Sequence, residues 1–179
     1  MIDKLLSIDK TFNKGMFITK VNNIFIMLHS AIMLDDLDRV RHYISGNLEI
    51  RYEQLLSNLR DRNEHQMYDE LNVKTTEIKS VIIDGDKAII HVDLVSRYMD
   101  YIVDKNTGEY KSGNNTSRIE KMNHLTFEKM ISSNYSNSLR KCPTCGASVD
   151  INKSGKCEYC GSIFNTEKHD WILTNIETV

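Results

Sequence analysis

The first third of the chain has the hydrophobic spacing of an amphipathic helix. Apolar residues from Phe12 to Ile32 recur at steps of three and four, so that they form one stripe along a helix. Asp9 precedes this stripe and is the expected N-cap, because its carboxylate can accept hydrogen bonds from the free amides of a first turn. Two further helices are predicted after it: a short one capped by Asp35 or Asp36, and a leucine-rich one.

Beyond about residue 66 the period changes from that of a helix to that of a strand. Alternating residues lead from Leu71 to Ile83, and Asp84-Gly85-Asp86 then predicts a tight turn, because glycine accepts a positive φ. A long strand is predicted from about Ala88 to Val103. After a polar loop, another is predicted from Arg118 to Met130. The tail from Asp170 to Ile176 alternates again and predicts a last strand.

The order of these elements, with helices first and strands after, indicates an α+β fold with an antiparallel sheet. A compact segment that holds all four cysteines lies between the third strand and the last one. The predicted organisation is a helical and sheet domain over residues 1–139, a zinc ribbon over 140–165, and a final strand over 166–179 that returns to the sheet.

The four cysteines form two C-x-x-C-G knuckles, Cys142 to Gly146 and Cys157 to Gly161. A two-residue spacer lets one tight turn present two sulfurs to a tetrahedral zinc ion, and the glycine after each pair can adopt a left-handed conformation. We therefore expect structural Zn²⁺ held by Cys142, Cys145, Cys157 and Cys160. Four thiolates leave no coordination position for water, so hydrolysis at this ion is not expected.

Other interpretations of the cysteines remain open at this point. Iron also binds four thiolates, and the ligands alone do not exclude it. The cysteines could also stay without metal. A thioredoxin-like redox pair would need one C-x-x-C motif beside a βαβ unit, and the predicted order of elements contains no such unit.

Charge and hydropathy limit the classes of partner and the cellular location that we expect for this chain. Lys and Arg number 23 against 25 Asp and Glu, which gives a formal net charge of −2. The cysteine segment has no basic stripe, so nucleic acid is not an expected partner. The most apolar run, Ile24 to Leu34, has about half the length that spans a bilayer, and residues 1–10 lack a signal-peptide pattern. The expectation is a cytoplasmic protein with no transmembrane segment, at most peripheral to a membrane.

Motifs along most of the chain resemble those of bacterial members of the Tim44-like domain family. They lie in the first helix, in the segment after it, in the long strand and around the cysteines, between residues 9 and 176. The motifs from Leu125 to Leu173, which include the two cysteine knuckles, resemble those of the zinc-ribbon-bearing transport proteins in that family. The motifs are Asp9-x-x-Phe12-Asn13, Ala31 to Tyr43, Tyr98-x-Asp100-Tyr101-x-Val103-Asp104 with Thr107-Gly108, Leu125-Thr126-Phe127, CPTCGA, CEYCGS and Trp171-x-Leu173.

The resemblance implies a fold similar to the cystatin-like, nuclear-transport-factor-two-like cone, in which N-terminal helices pack on a curved antiparallel sheet. A rubredoxin-like zinc ribbon would be inserted into this cone. The resemblance also implies a non-enzymatic binding or scaffold role related to transport, with a polypeptide or a membrane-associated assembly as partner. It carries no catalytic residue over to this chain.

A curved sheet can enclose a pocket, which leaves a small-ligand binder or an enzyme as the alternative function. An enzyme needs a buried acid or base, and the candidates on the long strands are His91, Asp93, Asp100 and His124. The competing interpretation makes these histidines ordinary strand residues and places Asp93 on a solvated face. Strand aromatics, likewise, are usually core residues. The candidate pocket residues are His91, Tyr98, Asp100, Tyr101, His124 and Trp171.

The broad apolar face of the long helix has two interpretations. It covers the sheet, which is the expectation, or it contacts a membrane or a partner, as such a helix does in the family that the chain resembles.

Overall fold

The computed structural model describes residues 2–131, 145–147, 159–161 and 170–179. Within these residues, helices come first and a sheet follows. The helices are α1 (Ile2–Ile8), α2 (Lys14–Met33) and α3 (Gly46–Asp61), with the short 3₁₀ helices Leu37–Arg39 and Arg41–Tyr43 between α2 and α3. The strands are β1 (Glu64–Asp84), β2 (Lys87–Asp104), β3 (Tyr110–Met130) and β4 (Ile172–Thr178). The predicted α+β class is confirmed.

The described strands form one antiparallel sheet in the order β1-β2-β3-β4. Strand β4 follows the cysteine segment and pairs with β3, with Ile176 opposite Leu125. The strand predicted from the alternation after Asp170 is thereby confirmed. The proposed boundaries at 139/140 and 165/166 lie outside the described residues and remain predictions.

One face of the sheet, here called the inner face, packs against α2. Successive side chains of a strand point to opposite faces. The set from Ile90 to Tyr98 at every second position of β2 is buried, as the alternation predicted. Helix α2 buries eight residues, including Phe17 and Leu28. His91 and Asp93 alternate with the buried set and therefore lie on the opposite, outer face.

The start of α2 differs from the sequence prediction. Asn13, not Asp9, is the N-cap, and its Oδ1 accepts a hydrogen bond from the amide of Met16 at 3.0 Å. Asp9 instead follows α1, a seven-residue helix that the sequence pattern did not reveal. The Asp9 carboxylate accepts a hydrogen bond from Lys129 Nζ at 2.7 Å, and so links the helical start to β3.

The polar loop predicted before Arg118 lies inside strand β3 as a bulge. Tyr98 pairs with Ile119 and Asp100 with Asn114, so β3 advances five residues where β2 advances two. Gly113 beside this bulge has φ +99°, and a Cβ there would lie 2.4 Å from the Asp100 carbonyl oxygen. Only glycine allows this approach. Because bulges bend strands, the insertion shapes the sheet next to Asp100.

Helix α2 is also long enough to cross a membrane. Over its 20 residues it contains a window of mean hydropathy 1.3, and it is the one helix of the described residues to meet these criteria of length and composition. The prediction that the chain has no membrane span depends on the length of the apolar run from Ile24 to Leu34, which is shorter than α2. Buried core helices share this composition, and the buried stripe of α2 packs on the sheet.

Candidate functional site

The six candidate pocket residues lie in three different parts of the fold. Three of them, His91, Tyr101 and His124, are on the outer face, whereas Tyr98 and Asp100 are on the inner face. Trp171 is buried just before β4. The fold therefore does not gather the six residues around one concavity.

The outer-face histidines each have a neighbour on the adjacent strand. His124 Nδ1 lies 2.7 Å from Asp93 Oδ1, and His91 Nδ1 lies 3.2 Å from Thr126 Oγ1. His124 is exposed, so its contact with Asp93 is a solvated cross-strand pair. This is the arrangement expected from the interpretation of these histidines as ordinary strand residues.

Tyr101 shares the outer face with these histidines. Its hydroxyl donates a hydrogen bond to Asp69 Oδ2 at 2.5 Å, which raises the pKa of the phenol. This bond joins β2 to the neighbouring strand β1.

Trp171 belongs to a group of aromatic rings that we call the apolar cluster: Phe12, Phe17, Phe127 and Trp171. The Phe17 ring lies 5.1 Å from Trp171 and 5.6 Å from Phe127 in edge-to-face geometry, a favourable arrangement of aromatic rings. The cluster joins the start of α2 to β3 and to the start of β4. Trp171 is therefore a core residue.

Tyr98 and Asp100 meet three residues that the sequence analysis did not select. We call the group the polar cluster: His29 from α2, Tyr68 from β1, Tyr98 and Asp100 from β2, and Lys121 from β3. The His29 ring lies 4.7 Å from the Tyr68 ring and 5.4 Å from the Tyr98 ring. The two tyrosine rings are 5.5 Å apart and nearly perpendicular.

An ion pair closes one side of the polar cluster. Lys121 Nζ donates to Asp100 Oδ2 at 2.5 Å, and Gln66 Nε2 donates to Asp100 Oδ1 at 2.8 Å. The Lys121 ammonium also lies 5.1 Å from the centre of the Tyr98 ring, within the range of a cation–π interaction. Both charged side chains stay about a quarter exposed, so water still reaches the pair.

Burial keeps His29 neutral. Its Nδ1 lies 2.9 Å from the Phe25 carbonyl oxygen, which can only accept, so Nδ1 carries the proton and donates. Burial lowers the pKa of His29 to about 4, and this effect exceeds the opposing influences of the Phe25 carbonyl and the Asp100 carboxylate. At neutral pH the imidazole is therefore uncharged.

The two tyrosines stay protonated. Burial raises the pKa of both phenols, and the charge of Asp100 raises them further. Neither the Tyr68 nor the Tyr98 hydroxyl forms a hydrogen bond with any residue that the structure describes. The polar cluster thus combines neutral donors with a paired carboxylate. This chemistry suits hydrogen bonding to a ligand better than proton abstraction.

Three residues of the polar cluster, His29, Tyr68 and Lys121, were not selected from the sequence, and only one of them has a local signal. His29 interrupts an otherwise apolar helical stripe, which is a visible signal. Tyr68 and Lys121 have no distinguishing local pattern, because their place in the cluster depends on strand register.

A cleft of about 430 Å³ lies at the same end of the sheet as the apolar cluster. None of the six candidate pocket residues lines it. Its lysines are held by carboxylates, as in the contact of Lys87 with Glu128 at 3.2 Å. The lining residues are Ser45, Asn47, Lys87, Glu128, Lys129, Met130, Ile172 and Thr174.

Half of the predicted zinc ligands lie within the described residues. Cys145 and Cys160 are exposed, whereas Cys142 and Cys157 fall outside the described ranges. Gly146 has φ +73° and Gly161 has φ +72°, so the left-handed conformation expected after each cysteine pair is confirmed. Among residues 2–131, 145–147, 159–161 and 170–179, no group of three or more His, Cys, Asp or Glu could hold a metal ion.

Comparisons with known proteins complete these observations. The model of the Tim44-like domain matches residues 1–138, which confirms the resemblance noted in the sequence. No curated protein matches the chain. The crystal structure of the intermembrane space region of the chloroplast protein ARC6 aligns with 11% sequence identity and a TM-score of 0.43. The alignment covers 90% of this chain and 95% of that one.

Proposed function

The chain belongs to the Tim44-like domain family, and we propose that it is a non-enzymatic binding or scaffold domain. Its partner would be a polypeptide of a membrane-associated, transport-related assembly. The finer architecture belongs to this proposal too: a cystatin-like cone that carries an inserted rubredoxin-like zinc ribbon.

The uncharged exposed face of α2 is the observation that carries this proposal. Met16, Ile26 and Leu34 remain 74%, 40% and 57% exposed, and they follow one side of the helix. The polar residues between them on that side are Thr19, Asn23 and Ser30, none of which is ionisable. Exposed apolar surface rimmed by polar residues is typical of protein interaction sites.

The separation of the titratable residues supports a non-enzymatic role. His91, Asp93 and His124 lie on the outer face, and Asp100 lies on the inner face. A general acid and base must converge on one reacting group. His124 and Asp93 contact each other in a solvent-exposed pair, and Asp100 lies on the opposite face, so the four residues do not form one buried site.

Zinc is the cofactor that the cysteines fit. Cys142, Cys145, Cys157 and Cys160 would hold it, and the left-handed Gly146 and Gly161 suit the tight turn after each cysteine pair. Such an ion supplies folding free energy rather than chemistry at a substrate.

The zinc proposal has a direct test. Cys142→Ser should lower the zinc content of the purified protein while the melting of the helical and sheet part changes little. Elemental analysis and thermal melting followed by circular dichroism are the measurements. Unchanged zinc stoichiometry would contradict the assignment.

The proposed location is the cytoplasm, with contact to a membrane through the partner. With a formal net charge of −2 the chain lacks the excess of basic residues typical of nucleic-acid-binding proteins, so nucleic acid is not a proposed partner. Salt-dependent gel shifts with DNA or RNA should be absent.

The α2 face is tested by a pair of matched variants. Met16→Lys combined with Ile26→Lys charges the exposed side of α2. Ile50→Lys charges an equally open position on α3, where Ile50 is 68% exposed. Affinity capture from native lysate followed by mass spectrometry should give the same partners for the wild type and Ile50→Lys, and lose them for the α2 double variant. Retention by the double variant would exclude the α2 face.

A small-ligand binder remains the second candidate, because the Tyr68 and Tyr98 hydroxyls have no hydrogen-bond partner among the described residues. Native mass spectrometry of the purified chain tests it. A bound small molecule should be retained by the outer-face variant Tyr101→Phe and lost by Tyr98→Phe. Equal retention would remove this candidate.

A further inference from the structure

Strand β1 is an edge strand that the described residues leave uncovered. It pairs with β2 along one side only. None of its 21 residues is fully buried, although apolar side chains such as Val81 and Ile83 pack against the core. An unpaired strand edge presents a row of backbone donors and acceptors to any further strand.

The other edge of the sheet, at β4, is covered. The amide of Ser45 donates to the Leu173 carbonyl at 2.9 Å, and Arg51 donates to the Ile176 carbonyl at 3.2 Å. The segment before α3 and α3 itself thus use backbone groups of β4. Proteins commonly protect edge strands in this way, and β1 has no such cover among the described residues.

Bulges protect the middle of β1 instead. The pairing with β2 shifts between Asp69 and Asn72, between Val73 and Thr75, and between Ile78 and Ser80. Bulges interrupt the regular spacing of edge groups that an added strand requires.

Two runs of five or more residues pair with β2 without a shift, residues 64–69 and residues 80–84. Of these two, the run from Ser80 to Asp84 is the one that carries an exposed large apolar side chain. It pairs with β2 without a shift, from Ser80 opposite His91 to Asp84 opposite Lys87. The shift after Ile78 limits it on one side and the turn at Gly85 on the other. Ile82, at the centre of this five-residue run, points to the outer face and is 46% exposed.

Exposed apolar residues of α1 lie at the same end of the sheet. Asp9 follows α1 and contacts Lys129 of β3. Lys129 lies opposite Ala88 of β2, and Ala88 lies opposite Ile83 of the regular run. Helix α1 therefore ends near the end of the sheet that contains this run. Helix α1 also contacts β1. Its Leu6 and Ile8 are exposed.

We propose that a second copy of this chain pairs with this run in antiparallel orientation, with Ile82 opposite Ile82 of the other copy. A two-fold axis perpendicular to the sheet then sets Val81 opposite Ile83 on the inner face. It also sets Ser80 opposite Asp84 on the outer face. The run is self-complementary in this register, because apolar side chains face apolar ones and a hydroxyl faces a carboxylate.

Sedimentation velocity and light scattering of the full chain test the dimer. The wild type should show a concentration-dependent rise to the mass of two chains. Ile82→Lys should stay at the mass of one chain, because it sets two ammonium groups opposite each other on the axis. Ile50→Lys, the exposed control on α3, should behave like the wild type. A wild type that stays monomeric at every concentration overturns the proposal, as does a dimer unchanged by Ile82→Lys.

A second pair of variants tests the register. Ser80→Lys places an ammonium opposite the other copy's Asp84 and should tighten the dimer. Ser80→Glu has nearly the same size but places a carboxylate there, so it should weaken the dimer. Circular dichroism verifies that both variants are folded. Equal dimer affinities of the two folded variants would overturn the Ile82-centred register.

Discussion

The two aromatic clusters of the inner face differ in what surrounds their rings. Both use edge-to-face contacts with ring centres about 5 to 6 Å apart. In the apolar cluster, Phe127 and Trp171 pack with other hydrocarbon rings. In the polar cluster, Tyr98 packs with a buried histidine and lies beside the Asp100–Lys121 ion pair. The rings of the apolar cluster therefore belong to Phe and Trp alone, with Lys129 5.9 Å from the centre of the Trp171 ring, whereas the polar cluster contains a buried histidine.

This difference separates stability from binding capacity. The apolar cluster joins α2 to the start of β4, so it ties the chain after the cysteine segment to the sheet. In the polar cluster, similar ring contacts bury His29, and this burial keeps the imidazole neutral. The cluster also contains the Asp100 carboxylate, which is paired with Lys121. We expect the first cluster to dominate the free energy of unfolding, and the second to determine how that free energy depends on pH.

The largest effect is expected from a truncation in the apolar cluster. Phe127 is completely buried, and Phe127→Ala removes a ring that touches Phe17. The free energy of unfolding should fall by about 3–5 kcal/mol, the usual loss for a buried phenylalanine. Urea unfolding followed by circular dichroism measures this. A loss as small as that of the milder variants below would show that the two clusters do not differ as argued.

The next effect is a loss of stability in acid caused by His29. Its pKa is about 4 in the folded chain against 6.5 as the ordinary value, so the unfolded chain binds the proton more readily. Stability should be complete above pH 6.5 and fall as the pH decreases towards 4, by roughly 3 kcal/mol in all.

The comparison of a His29 variant with a control variant isolates this contribution. His29→Leu should flatten the stability profile between pH 6.5 and pH 4. Ile50→Leu, an apolar change at an exposed position, is the control and should keep the profile of the wild type. A His29→Leu profile as steep as that of the wild type would assign the acid sensitivity to other groups.

A smaller effect is expected from the ion pair of the polar cluster. Asp100→Asn removes the charge that Lys121 contacts but keeps an acceptor for Gln66. Since water reaches both partners, the loss should be about 1 kcal/mol. Because the Asp100 carboxylate raises the pKa of His29, the variant should also extend the acid loss to lower pH. Unfolding curves at several pH values measure both changes.

The smallest effect is expected from Tyr98→Phe. The hydroxyl makes no hydrogen bond with a described residue, so stability should change by no more than about 0.5 kcal/mol. The thermal melting of Tyr98→Phe, compared with that of Phe127→Ala, shows how strongly the two clusters differ in their contribution to stability. A loss above about 2 kcal/mol would make this hydroxyl a structural group.

Much of the fold follows from local patterns in the sequence. The helical period from Phe12 to Ile32 and the alternation from Ile90 to Tyr98 predicted elements and buried faces that the structure confirms. The caps were harder to predict, because Asp9 and Asn13 are both good candidates. The structure selects Asn13, since the Asp9 carboxylate binds Lys129 on a distant strand.

The candidate site followed less completely from the sequence. Tyr98 and Asp100 were selected from their strand, but so were His91 and His124, which lie on the other face. Position along a strand gives the face only when one side is clearly apolar, and the register between strands gives the neighbours. Lys121 meets Asp100 because the β3 bulge sets the pairing there.

The sequence by itself determined the class of the fold, the family and the pair of cysteine knuckles, because each depends on spacing within short segments. Only the tertiary structure decided that His29 meets Tyr68 and Tyr98, that β4 has a covered edge, and that β1 leaves the run from Ser80 to Asp84 open. These features depend on contacts between residues far apart in the chain. Such contacts are fixed by register and packing rather than by any local pattern.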